Sequence, residues 1–461
     1  VVEQRICRLQ DNSPVLYRTP DGLYAFASQR SYRGDEVRSG TLWLQIGTID
    51  DLADFETLFA DFAFTFNFNF ATEGGQIAYY HVGRQPQRDD RLDPRLPRPA
   101  WDSTYDWDPV FLHLADLPHV IDPASGYTVN WNNKADGNWS SGDSRELWGS
   151  IHRAEIMEEI LLARIAAAPG GKLTLDDLRE VNERASTHEP YADDFYPLLY
   201  AAASAAGNTA ATSALYAWMG SGFDYADRTG GPDDTPDGSH DFAAFRLYEK
   251  WMSAFMDGVF RDDIGDFTRA PRWNPGSGGA DPHAADHGEH GQPFNVLLDA
   301  ANGTTARAWC DDGTTDAVET CADIASAAFA VAVADGTWDD AFPMRQSTFT
   351  ALGAGNAYKI PMTNRPSFQH FYDWGLPEGD ARSRNVVPPG VSGHMNVEDF
   401  FGMQWKTQAA ANGFPPPPGP LAPPSHLDDQ LQLYKDFGDK PLLHDAATLL
   451  QQHTESVTVI G

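Results

Sequence analysis

The chain has 461 residues, 41% of them apolar and 12% aromatic, which is enough to bury a large core and too apolar for a disordered chain. Its 66 acidic and 33 basic residues leave a net charge of −33, which argues against nucleic acid or an anionic membrane surface as partner. No apolar run reaches the roughly 18 residues of a membrane span, and no signal-peptide pattern stands at Val1.

The opening Val1-Val-Glu-Gln-Arg5 carries no initiator Met and reads as a processed product or a fragment. Residues 1–50 hold short alternating segments and a Thr19-Pro-Asp-Gly22 turn signal, and are predicted to be strands. A helix is predicted from Ile49 to about Phe62, opened by Asp50-Asp51, with Leu52, Phe55, Leu58 and Phe59 at helical spacing. Phe62, Phe64, Phe66, Phe68 and Phe70 then alternate by two and predict a strand with one phenylalanine face. Gly74-Gly75 turns this strand into Gln76–Val82 as a hairpin.

A Pro- and Asp-rich loop follows over 84–109, and then the run Ser125-Gly-Tyr-Thr-Val-Asn-Trp-Asn-Asn-Lys134. If this run is a strand, Asn130 and Asn132 share one face while Trp131 and Asn133 share the other. Two neutral amides beside an aromatic can donate hydrogen bonds to an oxygen without adding charge, which is what an oxyanion hole requires. A polar strand end or an Asx-rich turn is the alternative.

Helical pattern takes over from Leu147 to Ala168, with Ile151, Ile156, Ile160 and Leu161 as its apolar stripe. Thr174 and Asp177 predict an N-cap for a helix at Leu175–Glu183. Alanine-rich helices are predicted over 195–220, 242–260 and Cys321–Val333, with long loops at 228–240, 269–291 and 414–424. A helix around Leu427–Phe437 and a strand at Ser456–Ile460 close the chain. Cys310 and Cys321 bracket an acidic loop and can close a disulfide, which would indicate an oxidising compartment; two buried free thiols are the alternative, and Cys7 is left over. His283, His287, Glu289 and His290 have zinc-ligand chemistry, but their Gly- and Pro-rich surroundings supply no rigid frame. Strands at both ends with helices between predict one discontinuous α+β domain over 1–461, strand-rich over 1–150, helix-rich over 150–350 and returning to the core over 351–461.

An ordered series of blocks carries a resemblance. It includes Thr65-Phe-Asn67, Gly75–Gly83, Asp93-Pro-Arg-Leu-Pro97, Tyr105-Asp-Trp107, Leu117-Pro-His-Val120, Ser125-Gly-Tyr127, Asn130-Trp-Asn-Asn133, Leu147-Trp-Gly149 and His152-Arg153. Pro388–Gly393, Asp428–Leu431, Tyr434 and Phe437-Gly438 extend it near the end. In this order the blocks resemble the β chain of the penicillin acylase (penicillin amidase) family of N-terminal-nucleophile hydrolases. The resemblance covers nearly the whole chain and is weaker from about 205 to 350.

It implies an incomplete αββα sandwich with a helical insertion, hydrolysing a linear amide such as a β-lactam side chain or an N-acyl homoserine lactone. In that family an N-terminal serine is the nucleophile and its own α-amino group is the base. Residue 1 here is Val, and Tyr17–Gly22 matches a region well inside the family's β chain. The α chain, the first β-chain segment and the nucleophile are therefore expected outside this sequence, and the chain alone is expected to be inactive.

By the same resemblance Asn132 is the oxyanion-hole amide and Arg153 the active-site arginine that orients it. Trp43 and Phe66 are acyl-pocket candidates, with plain core packing as the alternative. A structural calcium would take the Pro94 carbonyl and the Asp143 carboxylate, hard oxygen ligands of the type calcium prefers. Its other ligands would lie in the missing segments, so that the site is incomplete in this chain; a plain turn aspartate is the alternative for Asp143. No organic cofactor is expected, the partners being the missing segments and a small acyl-amide substrate. The expected location is secreted or periplasmic. The rival reading is a non-catalytic secreted binding protein, or an inactive fragment that kept the fold.

Overall fold

The computed structural model describes residues 13–87, 96–107, 110–139, 151–228, 238–264, 291–311, 313–315 and 317–344, with 346–350, 357–361, 369–375, 383–386, 433–434 and 437–441 beyond them. Helices and small antiparallel sheets make it an α+β fold, as expected. The chain divides into two compact units, one running to Ile151 and the other continuing from His152.

In the first unit, β1 (Val15–Arg18) pairs antiparallel with β2 (Ala25–Ala27). The Thr19–Gly22 turn joins them, closed by the Gly22 N–H donating to the Thr19 carbonyl at 2.9 Å, with Gly22 at φ +71°. The strands expected over 1–50 do not continue past Ala27 among the described residues, because α1 (Glu36–Leu44) takes over. Ser39 and Leu42 recur at helical spacing and carry its inner face: the buried Ser39 hydroxyl accepts the Ala63 N–H at 3.0 Å, and Leu42 packs on the core.

The next helix, α2 (Leu52–Phe59), lies within its predicted bounds. The Asp51 side chain accepts the Asp54 N–H at 2.9 Å as N-cap. Phe55 and Phe59, one turn apart on α2, pack as a tilted pair with centroids 4.4 Å apart and enter the core. There they meet β3 (Phe66–Ala71), which pairs antiparallel with β4 (Ile77–Val82), and β4 pairs with β5 (His119–Ile121). The hairpin is the predicted one, with Gly75 at φ +87° in its turn. Its register places Phe66 opposite Val82, Phe68 opposite Tyr80 and Phe70 opposite Ala78. This face closes on Phe55, Phe59 and Phe62.

The second unit is helical for most of its length: α3 (Ile151–Ala167), α4 (Leu175–Thr187), α5 (Ala192–Ala205), α6 (Thr209–Gly220), α7 (Ala243–Ile264), α8 (Gly291–Ala301) and α9 (Cys321–Val333). The predicted cap of α4 is a full capping box between Thr174 and Asp177, and α9 has another between Thr320 and Asp323. Trp218, Trp251, Phe195, Phe245, Phe255 and Phe329 centre the core, and the Trp251 indole N–H donates to the Ala325 carbonyl at 2.9 Å. Cys310 and Cys321 form a disulfide at the start of α9.

Two further small sheets follow. One pairs β6 (Gln346–Thr350) with β7 (Ala357–Pro361), and the other orders β8 (Gln369–Tyr372), β9 (Ser383–Val386) and β10 (Lys440–Pro441) as β10-β9-β8. The buried Asp439 forms an ion pair with Arg179 of α4 at 2.5 Å and accepts from Arg384 of β9, which fixes the β10 segment against α4. Among the described residues no helix is long and apolar enough to cross a membrane. Cys7, the 281–290 histidine loop, the loop at 414–424 and the strand at 456–460 lie outside the described residues, as does the 427–437 helix apart from Leu433, Tyr434 and Phe437.

Candidate functional site

The strand Phe-Asn-Phe-Asn-Phe of β3 has two faces of opposite chemistry. Phe68 and Phe70 enter the core with Phe66 at its edge, and the other face presents Asn67 and Asn69 alongside Tyr79 and His81 of β4. The Asn67 Oδ1 accepts from the Tyr79 hydroxyl at 2.9 Å and from His81 Nδ1 at 2.7 Å. Its Nδ2 donates to Asn130 Oδ1 at 3.3 Å and to the Asn133 carbonyl at 3.5 Å. Asn69 Oδ1 accepts the Thr128 hydroxyl at 3.0 Å.

His81 is fully buried, and that burial pushes its imidazole down to about 4, so it is neutral at physiological pH and donates through Nδ1–H. Burial also raises the Tyr79 phenol well above its usual value, which keeps it a donor. A neutral, hydrogen-bonded polar face thus backs the asparagine-rich run.

That run is not the strand the alternation predicts. Asn132 stands at φ +59°, in the left-handed region, and breaks the period of two. Asn130 and Asn132 therefore do not share a strand face. Local side-chain bonds replace the ladder, as Asn residues favour. Asn130 Nδ2 donates to Asn133 Oδ1 at 3.1 Å, and the same Oδ1 accepts the Trp131 N–H at 2.8 Å. Asn130 Oδ1 accepts the Asn132 N–H at 3.1 Å. Trp131 turns inward and is buried. Asn132 is exposed, and its side-chain amide makes no hydrogen bond among the described residues. Asn130 and Asn133 hold the turn, and Asn132 is the amide left over.

In the same unit the structure brings Trp43 and Phe66 together, with centroids 5.3 Å apart. Trp43 also meets Phe62 at 5.8 Å and Phe68 at 5.7 Å. Both Trp43 and Phe66 remain nearly half exposed, at 44% and 45%, so they form the solvent edge of the phenylalanine core and not its interior.

In the second unit Arg153 lies in the first turn of α3 and is only 5% exposed. Its chain neighbour His152 is also buried. The His152 Nε2 meets Asn295 Oδ1 of α8 at 2.9 Å, and its Nδ1 lies 3.5 Å from Glu155 and 3.8 Å from Asp194. Burial lifts the Asp194 carboxyl, against the pull of His152.

Pro94 and Asp143 lie outside the described residues, and no three His, Cys, Asp or Glu side chains among the described ones are grouped to hold a metal. Sequence reasoning passed over Asn67, Asn69, Tyr79 and His81. Their signal was present in the same alternation that revealed the phenylalanine face.

Comparison with known proteins gives consistent results. The family model for penicillin amidase matches residues 3–403. Penicillin G acylase of Escherichia coli is 31% identical over 181 residues, which cover 39% of this chain and 20% of that protein, so the match spans about a fifth of that relative. Among solved structures, thermostable penicillin G acylase from Alcaligenes faecalis aligns with a TM-score of 0.70 at 21% identity, covering 99% of this chain and 78% of that one.

Proposed function

The chain belongs to the penicillin amidase family, and on that basis we propose that it forms the larger part of an amidohydrolase that cleaves a linear amide. The observation that carries this reading is the Asn132 amide. It is exposed, hydrogen-bonded to nothing among the described residues, and carried on a turn whose other asparagines are committed to holding it. A neutral, preorganised N–H donor of this kind stabilises charge that develops on a carbonyl oxygen during attack. Loss of one such donor typically costs on the order of 3 kcal/mol of barrier.

The nucleophile is an N-terminal serine contributed by sequence outside residues 1–461, with its own α-amino group as base. An amine with an ordinary pKa near about 8 can take the serine proton near neutral pH. By the family likeness, Arg153 is read as the active-site arginine. Trp43 and Phe66 receive an apolar acyl group at the edge of the phenylalanine core, which fits a phenylacetyl or fatty acyl moiety. The scissile amide belongs to a β-lactam side chain or an N-acyl homoserine lactone, so the biological role is antibiotic breakdown or quenching of an acyl signal. A structural calcium would take Pro94 and Asp143 together with ligands outside residues 1–461, and a chelator should then lower the thermal stability of the entire product without altering the chemistry of turnover. The Cys310–Cys321 disulfide supports an oxidising, secreted or periplasmic location.

The test is expression of the entire gene product and measurement of acid release from phenylacetyl amides and acyl homoserine lactones. Hydrolysis by the entire product, absent from residues 1–461 alone, is the expected result. No hydrolysis of any linear amide by a folded entire product would favour a binding protein that kept the fold.

A further inference from the structure

We propose that Asn67 is the positioning residue of this oxyanion site: its carboxamide, itself held by Tyr79 and His81, fixes the turn of residues 130–133 and so the direction of the Asn132 amide. This rests on the reading of Asn132 as oxyanion donor.

The geometry leaves the Asn67 amide a single orientation. Its Oδ1 faces two donors, the Tyr79 hydroxyl at 2.9 Å and His81 Nδ1 at 2.7 Å. A flipped amide would set its oxygen against the Asn133 carbonyl and against Asn130 Oδ1, which already accepts the Asn132 N–H, so Oδ1 is directed at Tyr79 and His81 and Nδ2 at the turn. There it donates to Asn130 Oδ1 at 3.3 Å and to the Asn133 carbonyl at 3.5 Å. Asn130 Oδ1 also accepts the Asn132 N–H at 3.1 Å. The path from the sheet therefore runs Tyr79 and His81, Asn67, Asn130, Asn132 backbone.

The links through Asn67 to Asn130 are neutral, part-buried hydrogen bonds, stronger there than in water, and the last link, to the Asn132 N–H, lies at the exposed edge. Asn67 sits on a strand, opposite His81 in register, and a strand places a site more firmly than a loop does. Asn132 itself stands at φ +59°, and such a residue needs its surroundings to hold it there. The residue type is also specific. Aspartate at position 67 would still accept from Tyr79 and His81 but would turn a carboxylate oxygen toward the Asn130 and Asn133 oxygens. Alanine would lose both sides of the link.

The experiment uses the entire active gene product with Asn67→Asp, Asn67→Ala, Asn132→Ala and the Asn67→Asp/Asn132→Ala double variant. Amide hydrogen exchange at Trp131 and Asn132 is read alongside kcat and KM. We expect Asn67→Asp to lower kcat roughly 10-fold or more with KM changed less than about 3-fold, the pattern of a lost transition-state interaction. In the Asn132→Ala background the same change should alter kcat by less than about 2-fold, since the two residues act as one device. Exchange at Trp131 and Asn132 should quicken in both Asn67 variants. If the aspartate variant fails to fold, Asn67→Ala, which adds no charge, replaces it in every comparison.

Unchanged kcat and exchange in the Asn67 variants would overturn the proposal. An equal loss of kcat in both backgrounds would also overturn it, because that is a merely structural effect. If Asn132→Ala leaves kcat intact, the oxyanion reading itself falls. Exchange then decides the remaining claim: faster exchange upholds Asn67 as holder of the turn, and unchanged exchange rejects it.

Discussion

Asn133 Oδ1 accepts the backbone N–H of Trp131 at 2.8 Å, a closure across two residues that carries the chain through Asn132 at φ +59°. This bond turns Trp131 into the interior and leaves Asn132 outside. It separates the asparagines that hold the turn from the one whose side-chain amide stays exposed.

Asn132 stands at a backbone corner, and the proposed function adds a second, separable role as amide donor. Asn132→Gly keeps the left-handed corner and should leave stability unchanged within a few tenths of a kcal/mol, whereas Asn132→Ala should cost about 1 kcal/mol. Both should lower kcat of the active enzyme by on the order of 10²- to 10³-fold with little change in KM. Thermal denaturation and steady-state kinetics on the two variants check this. Undiminished turnover in either one would remove Asn132 from the oxyanion site.

Gly83 closes β4 at φ +126°, and a Cβ there would lie 2.9 Å from both the Phe64 carbonyl oxygen and Thr65 Cα. Both obstacles are backbone and cannot rotate away. Gly83→Ala should destabilise the first unit by about 2–4 kcal/mol. Denaturant unfolding followed by the fluorescence of that unit's tryptophans measures it.

His81 makes the first unit sensitive to acid. Its folded pKa of about 4 lies below the ordinary 6.5, so between those values the unfolded chain binds more protons than the folded one. Its contribution is complete above pH 6.5, declines on acidification and is exhausted below about 4, a loss on the order of 3 kcal/mol. His81→Gln should flatten the stability profile across that window relative to the wild type. Parallel profiles for the two proteins would show that His81 does not titrate on unfolding.

The Cys310–Cys321 bridge closes a loop of sequence separation 11 at the N-terminus of α9, where the Thr320–Asp323 capping box sits. Replacing both cysteines by serine should cost the second unit about 2–3 kcal/mol. Amide exchange in the first turn of α9 should rise with that loss. Equal exchange in both forms would mean that the capping box alone fixes the helix start.

Local signals were legible where local forces decide the outcome. Thr174 with Asp177 gave the start of α4, and the Phe-Asn alternation gave β3 and its hairpin. Those elements rest on contacts between near neighbours in sequence: a cap hydrogen bond, a Gly turn, a period of two. The helix α1 was misread as strand because its inner face is a serine and a leucine, too sparse a stripe to mark a period. For the asparagine run the alternation left strand and Asx-rich turn both open, and the turn prevails because side-chain amides hold it and leave no hydrophobic pattern.

By itself the sequence determined the order of the family's blocks, the class of fold, and the asparagine whose chemistry suits an oxyanion. Tertiary structure decided which asparagines serve that one. Asn67 and Asn130 lie 63 residues apart, and only the pairing of β3 with β4 brings Tyr79, His81 and the turn around a single carboxamide. Hydrogen bonds between distant residues are set by register and close approach. No periodicity along the chain records them.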